Sequence, residues 1–552
     1  MTAKAWIRTL LLGAVVVPLA LFARWGGDSE QKGSRFHPWP DAVEYAAEAQ
    51  ALAHSGQVFL QIGPYRVRPR FPPGWPLLIA AGVRLGTEGQ NLWRITALFG
   101  AALAWLLAAV TAGAVEALGP HHPGPLLPSP PPSLAGRRGR DWKDLSESPL
   151  SPGEGGGRGR ERGGWGSEGP ALLAGLLAGC VWAFAPIAVG LGQTLMSDEP
   201  TALVSLAGLL LAGLAFLRKE NRGAWSLALA GGLAFGLAAA MRSIVAALML
   251  LPIACFLIGG LRRNGWRPTI LRALAWTLGA AMVVAVTAWI VARSGWPAWQ
   301  WAGYGFWMPQ RFDHWWSTFN LRFALRPDAT FRQEIEGRPI SHLELALRVL
   351  LGIPGLRVHH DLGFVWPLAG WAAAIPLYQM ARRRTPEVAA WTAAGLLLWT
   401  LGHVALFSLY FYPSSRFYLA PLALCLVLLA TACGVGLSRP EGRARWPVAA
   451  AVAAVTAVAL LAAWGFAEFR REPLPDLDTE RTRARFNRWL EIGDERRANR
   501  VMPFDPVHAQ ALGLLTPEVA AQVHAWGELP DTVEVRRLRM NGYLRTLESP
   551  RR

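Results

Sequence analysis

The chain is poor in charge and in cysteine, and both shortages limit what it can be. Charged residues make up 17% of the 552 residues, against 52% hydrophobic residues, and the mean hydropathy is positive. This balance excludes an ordinary soluble enzyme, because apolar runs long enough to cross a bilayer recur along the chain between arginine clusters. All four cysteines lie inside apolar runs, so we expect buried thiols and no disulfide framework. They are Cys180, Cys255, Cys425 and Cys433.

Several motifs of soluble enzymes are also missing. The Pro-, Gly-, Ser- and Arg-rich segment 119–169 contains glycine runs, but no Gly-Lys-Ser or Gly-Lys-Thr follows them and no apolar strand precedes them, which argues against a phosphate-binding loop. This segment has almost nothing to bury and is predicted to be a disordered cytoplasmic insert. No serine nucleophile elbow or zinc-protease helix motif occurs. His359, His360 and Asp361 are adjacent, and adjacent residues rarely converge on one metal ion.

Positive charge is in excess, with 55 Lys and Arg residues against 38 Asp and Glu residues and a formal net charge of +17. In a soluble protein that excess would suggest a nucleic-acid partner. Here the arginines lie mostly between apolar runs, where they set the topology and meet anionic lipid headgroups. We therefore expect membrane lipid as a partner and no nucleic acid.

The apolar runs predict about eleven transmembrane helices. The first run, 9–22, follows Lys4 and Arg8 and lacks a small-x-small cleavage site, so it is read as a retained helix with a cytoplasmic N-terminus. The run 226–261 has arginines beyond both ends, which predicts a hairpin of two helices with Arg242 at its outer tip. A single helix would place Arg242 in lipid at a cost of roughly 2.5–3.5 kcal/mol. The other helices are predicted at about 95–115, 171–189, 201–217, 273–291, 364–380, 388–411, 417–437 and 446–466.

The predicted fold class is therefore an all-α polytopic membrane protein. A large first outer loop spans 24–91, and a second, aromatic-rich outer loop spans 293–363. Residues 1–118 hold the first two helices and 170–468 the remaining ones. The C-terminal region 469–552 is predicted to be a small unit outside the membrane.

The first outer loop carries the densest polar pattern. Residues 40–55 predict an amphipathic helix that Gly56 ends, with apolar residues on one face and Asp41, Glu44 and Glu48 on the other. Acidic residues there are also favoured simply because a helix begins at Pro40. A short helical piece is predicted at 73–85.

Between these two helical pieces the loop is predicted to be extended and basic. Arg66, Arg68 and Arg70 alternate with apolar residues, so a period of two places the three guanidiniums on one side of the chain. The same row could equally bind ordinary anionic lipid. Acid and base are therefore predicted to face each other across one loop.

The predicted topology brings further polar residues to the same outer face, near helix ends. They are Asp198, Glu199, Arg242 and Arg416. Carboxylates and guanidiniums gathered at one membrane interface suit a site that handles an anionic lipid headgroup and moves a proton. The simpler alternatives are a helix start for the two acids and interfacial anchoring for the two arginines.

Five motifs follow one another in an order that resembles a known family. They are PDAVEYAAEAQALAHSG, RFPPGWPLLIAA, MSDEPTALVSLAGLLLA, AAMRSIVAALMLLP and YPSSRFYLAPLALCLVLLA. Over roughly 4–437 the chain resembles the integral-membrane glycosyltransferases of the GT-C fold, such as the protein O-mannosyltransferases and the lipid A aminoarabinose transferase. The resemblance implies transfer of a sugar, with inversion, from a polyprenyl-phosphate donor to a lipid glycan, polysaccharide or protein. It also implies a place in the bacterial inner membrane, with the site and the C-terminus outside.

The resemblance also implies roles for individual residues. Asp41 matches the general base for the acceptor hydroxyl, and Glu44 is the candidate substitute for a second acidic residue because Ala42 occupies that place. Arg70, Arg242 and Arg416, together with Arg66 and Arg68, would neutralise the donor phosphate. Asp198 and Glu199 would form an acceptor or second acidic site. No metal ligands are assigned, and a divalent cation stays an open alternative.

Two other classes of function compete with a glycosyltransferase. A membrane transporter would carry polar residues in the middle of its helices and often a repeated half. His403 is one of the few such residues, and no repeat is visible. A catalytically silent, lipid-binding relative would tolerate Asp41→Asn, whereas the enzyme would not.

Overall fold

The structure is a computed structural model. It describes residues 3–25, 40–62, 65–67, 69–87, 89–119, 168–192, 195–219, 223–298, 315–326, 333–335, 338–351, 366–412 and 414–438. The predicted helix 446–466, the predicted C-terminal unit, nearly all of the predicted insert and the pair His359–His360 lie outside the described residues.

The described residues form helices joined by short connections. Their bounds are α1 (Ala3–Trp25), α2 (Pro40–Ser55), α3 (Gly74–Arg84), α4 (Trp93–Leu118), α5 (Glu168–Phe184), α6 (Pro186–Gly192), α7 (Asp198–Leu217), α8 (Ala224–Met241), α9 (Ser243–Asn264), α10 (Trp266–Arg293), α11 (Trp315–Thr318), α12 (Leu321–Leu325), α13 (His342–Leu351), α14 (Trp366–Arg384), α15 (Pro386–Leu409) and α16 (Leu419–Leu437). Two antiparallel hairpins pair β1 (Leu60–Ile62) with β2 (Tyr65–Val67) and β3 (Gln333–Ile335) with β4 (Arg338–Ile340). Short 3₁₀ turns, Gly89–Leu92 and Ser415–Tyr418, precede α4 and α16.

Within these residues, eight helices are long and apolar enough to cross a membrane. They are α1, α4, α7, α8, α9, α10, α15 and α16 with its preceding turn, while α5 is a shorter apolar helix. The exposed side chains Leu274, Leu278, Met282 and Val286 form one stripe along α10 at a spacing of four residues, as expected of a surface that faces lipid. The all-α polytopic fold class is confirmed, and each predicted span in the described residues contains a helix.

Two helix breaks shape the bundle. Arg242 is extended between α8 and α9. Gly232 lies against Trp276 and Gly236 against Val283, so α8 and α10 pack on each other and run in the same direction. The connecting helix α9 therefore runs in the opposite direction. The predicted hairpin is thus confirmed. The predicted helix 171–189 is instead divided at Ala185, because Pro186 has no N–H to donate and disfavours helical backbone before it.

The ends of several helices meet at one end of the bundle. Arg8 of α1 forms an ion pair with Glu116 of α4, and Arg384 of α14 donates to the carbonyl of Gly119 just after α4. All four positions are predicted to be cytoplasmic. The charged residues of the first outer loop and of the α8–α9 break meet at the opposite end.

The helix α2 agrees with its predicted bounds but not with its predicted exposure. It ends at Ser55, and Gly56 follows with a φ of 68°, a left-handed conformation that favours glycine. The apolar face is buried as expected. Glu44 and Glu48 on the opposite face are fully buried as well, so α2 is enclosed rather than half exposed. Amphipathicity reports which residues are polar, and it does not report what covers them.

Candidate active site at one end of the bundle

The loop after β2 brings a base to an acid of α2. The backbone N–H of Arg70 donates to Glu44 Oε1 at 2.6 Å, and Arg70 Nη2 lies 3.0 Å from Glu44 Oε2. Glu44 is fully buried, whereas the Arg70 side chain is 15% exposed. The guanidinium carbon lies 4.5 Å from the centre of the Phe71 ring, a cation–π distance. The backbone and the guanidinium of Arg70 are therefore both fixed, and its side chain keeps a partly exposed surface.

A second acid lies between two further arginines. Asp198 begins α7, Arg242 lies in the break between α8 and α9, and Arg416 lies in the turn before α16. Asp198 Oδ1 is 2.9 Å from Arg242 Nη2 and 3.8 Å from Arg416 Nε. The Asp198 side chain is fully buried, and the two arginine side chains are 14% and 13% exposed. Residues about 220 positions apart in the chain thus meet at one carboxylate.

Aromatic rings hold the two arginines in place. The Phe417 ring lies 5.6 Å from the guanidinium carbon of Arg242 and 5.8 Å from that of Arg416. Tyr412 lies 5.8 Å from Arg416 on another side. Burial raises the pKa of the Tyr410 hydroxyl, and the positive charges of Arg242, Arg416 and Arg70 act to lower this pKa. All three arginines therefore lie near enough to the Tyr410 hydroxyl to act on its pKa.

Hydrogen bonds tie the Glu44 side of the site to the Asp198 side. The Tyr45 hydroxyl lies 3.1 Å from Ser197 Oγ, and Arg242 Nε donates to that same Ser197 oxygen at 3.0 Å. Tyr45 also packs on Phe71, with ring centres 4.6 Å apart. The first turns of α2 and α7 are thereby held side by side.

Segments of the second outer loop brace the chain near Tyr410. Phe319 forms a β-bridge with Tyr410, and the backbone N–H of Phe411 donates to the Thr318 carbonyl at 2.9 Å. His342 Nδ1 lies 2.7 Å from the Tyr410 carbonyl oxygen. The sequence showed this loop only as rich in aromatic residues, and no local signal points to these contacts.

Among the five described charged groups that these contacts join, positive charge exceeds negative charge. Three guanidiniums face two carboxylates, so the five groups sum to +1 (three minus two). Each arginine side chain is partly exposed, and both carboxylates are buried. Such an arrangement suits a phosphate group, which can accept hydrogen bonds from several guanidiniums at once.

The structure separates the two acids that the sequence grouped as one candidate site. Glu199 turns away from Asp198 and pairs with Arg24, whose Nη2 donates to Glu199 Oε1 at 2.7 Å. Both side chains are fully buried. Arg24 was not a sequence candidate, because nothing local distinguishes it from any arginine at the end of an apolar run.

Glu48 differs from Glu44, Asp198 and Glu199, which all pair with arginine. It is fully buried, and neither of its oxygens has a hydrogen-bond partner among the described residues. Burial and the neighbouring Glu44 both raise the pKa of Glu48 well above its usual range. The surroundings of Glu48 therefore favour its protonated form.

The remaining sequence candidates are only partly placed. Asp41 lies in the first turn of α2, one turn before Glu44, and its side chain is outside the described part of the structure. Arg66 lies in β2 opposite Gln61, again without a described side chain, and Arg68 is not described. Among the described residues no group of three or more His, Cys, Asp or Glu side chains could hold a metal ion.

Comparison with known proteins identifies the fold. No protein-family model and no curated protein sequence matches the chain. The archaeal oligosaccharyltransferase AglB from Archaeoglobus fulgidus, solved with an inhibitory peptide and a dolichol-phosphate, matches with a TM-score of 0.50 and 13% identity, over 92% of this chain and 60% of that one. The present chain thus spans 60% of the length of AglB.

Two further solved structures match with lower scores. ArnT from Cupriavidus metallidurans bound to undecaprenyl phosphate gives a TM-score of 0.48 and 14% identity, over 98% of this chain and 79% of that one. The S. cerevisiae protein O-mannosyltransferase Pmt1–Pmt2 complex bound to the sugar donor gives 0.33 and 13%, over 61% and 38%. The chain has the fold of the GT-C glycosyltransferases, as the order of its motifs predicts.

Proposed function

We propose that the chain is a glycosyltransferase that moves a sugar from a polyprenyl-phosphate donor to a lipid glycan, polysaccharide or protein acceptor, with inversion. The observation that carries the proposal is the meeting of Arg70, Arg242 and Arg416, each partly exposed, around two buried carboxylates. The fold shared with AglB, whose structure contains a dolichol-phosphate, supports it.

The three arginines bind the donor phosphate. When the bond between the anomeric carbon and the phosphate oxygen breaks, the oxygen keeps the electron pair and the phosphate gains negative charge. Guanidiniums fixed at that place stabilise the transition state more than the bound donor, which is the condition for catalysis. Glu44 and Asp198 hold the arginines in position, because each is buried against its guanidinium partner.

Asp41 supplies the base. It takes the proton of the acceptor hydroxyl while that oxygen attacks the anomeric carbon from the face opposite the phosphate, so the anomer inverts. Two contacts fix the helix that carries it, those of Glu44 with Arg70 and of Tyr45 with Ser197. The backbone of Asp41 is one helical turn, about 5 Å along the axis, from these anchors.

The proposal includes a location. The chain lies in the bacterial inner membrane, and its N-terminus and the end of the bundle formed by Arg8, Glu116 and Arg384 are cytoplasmic. The candidate site then opens to the outside, where polyprenyl-phosphate sugars and extracytoplasmic acceptors meet. Acceptor recognition falls to the second outer loop, 293–363, and the C-terminal region, 469–552.

Sugar transfer in membranes tests the proposal. Membranes containing the wild type or Asp41→Asn at matched abundance receive a panel of radiolabelled polyprenyl-phosphate sugars, and transfer to endogenous acceptors is counted. We expect label to move with the wild type and transfer to fall by about 10²-fold or more in Asp41→Asn, because a positioned base contributes that much. A variant as active as the wild type would remove Asp41 from the mechanism. A folded wild type that neither moves label nor binds undecaprenyl phosphate would contradict the proposed function itself.

A further inference from the structure

Two buried arginines hold the two ends of α7. At the last turn, Arg272 of α10 donates at 2.9 Å to the carbonyls of Ala215 and Arg218. At the first turn, Arg24 of α1 binds the side chain of Glu199. Both arginines are almost completely buried. Of these two arginines, only Arg24 lies next to the candidate site.

Arg24 joins three helices of the bundle. Besides Glu199, its Nη1 donates to the Ala20 carbonyl at 3.1 Å and to the Ala183 carbonyl at 3.3 Å. The last turn of α1, the end of α5 and the first turn of α7 therefore meet at one guanidinium. Two glycines, Gly100 of α4 and Gly192 of α6, form the wall around it.

Gly100 and Gly192 pack tightly against the side chains of Arg24 and Glu199. A Cβ at Gly100 would lie 2.6 Å from Arg24 Nε, and a Cβ at Gly192 would lie 2.7 Å from Glu199 Oε2, both closer than real Cβ contacts. The pair is thus held in one arrangement, because neither side chain can shift without moving a helix. The first turn of α7 takes its position from that pair.

The residues on the N-terminal side of Glu199 belong to the candidate site. Asp198 contacts Arg242 and Arg416, and Ser197 accepts from Arg242 and meets Tyr45 of α2. We propose that Arg24 is a positioning residue: through Glu199 it sets the first turn of α7 and so places Ser197 and Asp198 against the arginines that receive the donor phosphate. This inference rests on the proposed function, since it assumes that these arginines bind a lipid phosphate.

A purely structural role would have a different signature. Removing one partner of a buried pair leaves an uncompensated charge and destabilises the fold, whereas removing both charges often restores stability. A structural pair could therefore be replaced without consequence for binding. A positioning pair could not be replaced without weakening the binding of the lipid phosphate, because the neutral side chains no longer fix the position of the first turn of α7.

The test uses the full-length protein in lipid nanodiscs, with radiolabelled undecaprenyl phosphate as the probe. The dissociation constant and the unfolding temperature are measured for the wild type, Arg24→Met/Glu199→Gln and Arg24→Lys. Arg272→Met is the matched control, a buried arginine at the other end of the same helix. We expect the double variant to unfold near the wild-type temperature and to bind about tenfold or more weakly, since a displacement of about 1 Å has effects of this size. Arg272→Met should unfold at a lower temperature and bind as the wild type does.

The outcomes separate the inference from the proposed function. Wild-type affinity in the double variant would overturn the inference, and so would equal weakening in Arg272→Met. Should the double variant not fold, Arg24→Lys decides, because lysine keeps the charge but cannot reach Glu199 and both carbonyls together. Weaker binding by a stable Arg24→Lys supports the inference, and unchanged binding overturns it. A wild type that does not bind the probe contradicts the proposed function.

Discussion

Two consecutive carboxylates, Asp198 and Glu199, show how one helix start serves two purposes. Glu199 and Arg24 form a closed pair of one acid and one base, both without contact with solvent. Asp198 is equally buried but meets two arginines, Arg242 and Arg416, and each of these keeps part of its surface exposed. The closed pair joins one basic and one acidic side chain, and neither has exposed surface. The open cluster has surplus charge and an accessible face, which are the properties that a binding site for an anion requires.

The comparison also explains why sequence alone could not rank the two acids. Neighbouring residues of an α-helix point about 100° apart, so Asp198 and Glu199 necessarily face different surroundings. The environment, rather than the residue type, decides which of them belongs to the site.

The largest expected effect comes from opening the closed pair. In Glu199→Ala the guanidinium of Arg24 is left buried without a counter-charge, and we expect a loss of about 3–5 kcal/mol in the free energy of unfolding. Thermal unfolding of the purified protein measures the loss. The control is Asp198→Asn, which should cost much less because Arg242 and Arg416 reach solvent. Equal losses in both variants would remove the distinction between the closed pair and the open cluster.

The open cluster should show the reverse pattern. Arg242→Met and Arg416→Met each remove a charged donor from the phosphate, which weakens binding of undecaprenyl phosphate by about 10- to 100-fold. Their unfolding temperatures should fall less than that of Glu199→Ala, because the remaining arginine still lies near Asp198. Arg262→Met is the control, since Arg262 also lies over an aromatic ring, Trp391, but away from the candidate site. If Arg262→Met weakened binding as strongly, the assigned site would be wrong.

A third, smaller effect on stability is expected from a methyl group placed beside the Arg24–Glu199 pair. A methyl group at Gly100 would overlap the Arg24–Glu199 pair, so Gly100→Ala should destabilise the protein by about 1–3 kcal/mol. Gly113→Ala is the matched control in the same helix, where a methyl group would meet nothing within 4 Å. Gly113→Ala should be neutral or slightly stabilising, because alanine favours helix over glycine. The unfolding temperatures of the two variants test this difference, and equal temperatures would contradict the tight packing at Gly100.

Glu48 adds a carboxyl group with no described partner, and its effect depends on pH. Its folded-state pKa is raised above the ordinary value of 4.5, so the folded protein binds more protons than the unfolded chain between these two values. Stability from this group is present below pH 4.5 and is lost as pH rises through the folded-state pKa. Glu48→Gln should flatten that dependence and stabilise the protein at pH 8, as unfolding measured across pH would show. An unchanged pH dependence would contradict the raised pKa of Glu48.

The sequence predicted those parts of the fold that depend on the cost of placing a charge in lipid. The Arg242 break and the hairpin of α8 and α9 follow from that cost. The division at Pro186 was missed because hydropathy averages over a single proline. The approach of Arg70 to Glu44 agrees with the prediction that acid and base face each other across the first outer loop. The full burial of Glu44 and Glu48 was not predicted, because amphipathicity does not show which segments cover a helix face.

The candidate site was predictable as a set of residues and not as an arrangement. Arg70, Arg242, Arg416 and Asp198 meet as their predicted common outer face suggests. Arg24 escaped notice because its partner, Glu199, lies 175 positions away and no local pattern joins them. Long-range pairing of this kind is visible only in the structure.

The most direct test of the central claim is whether the open cluster recognises a phosphate on a lipid. The affinities for undecaprenyl phosphate and for undecaprenol are compared in the wild type and in the double variant Arg242→Met/Arg416→Met. We predict that the wild type prefers the phosphate by about 10²-fold or more and that the double variant loses this preference, since charged hydrogen bonds supply it. An unchanged preference in the double variant would show that the lipid phosphate binds elsewhere.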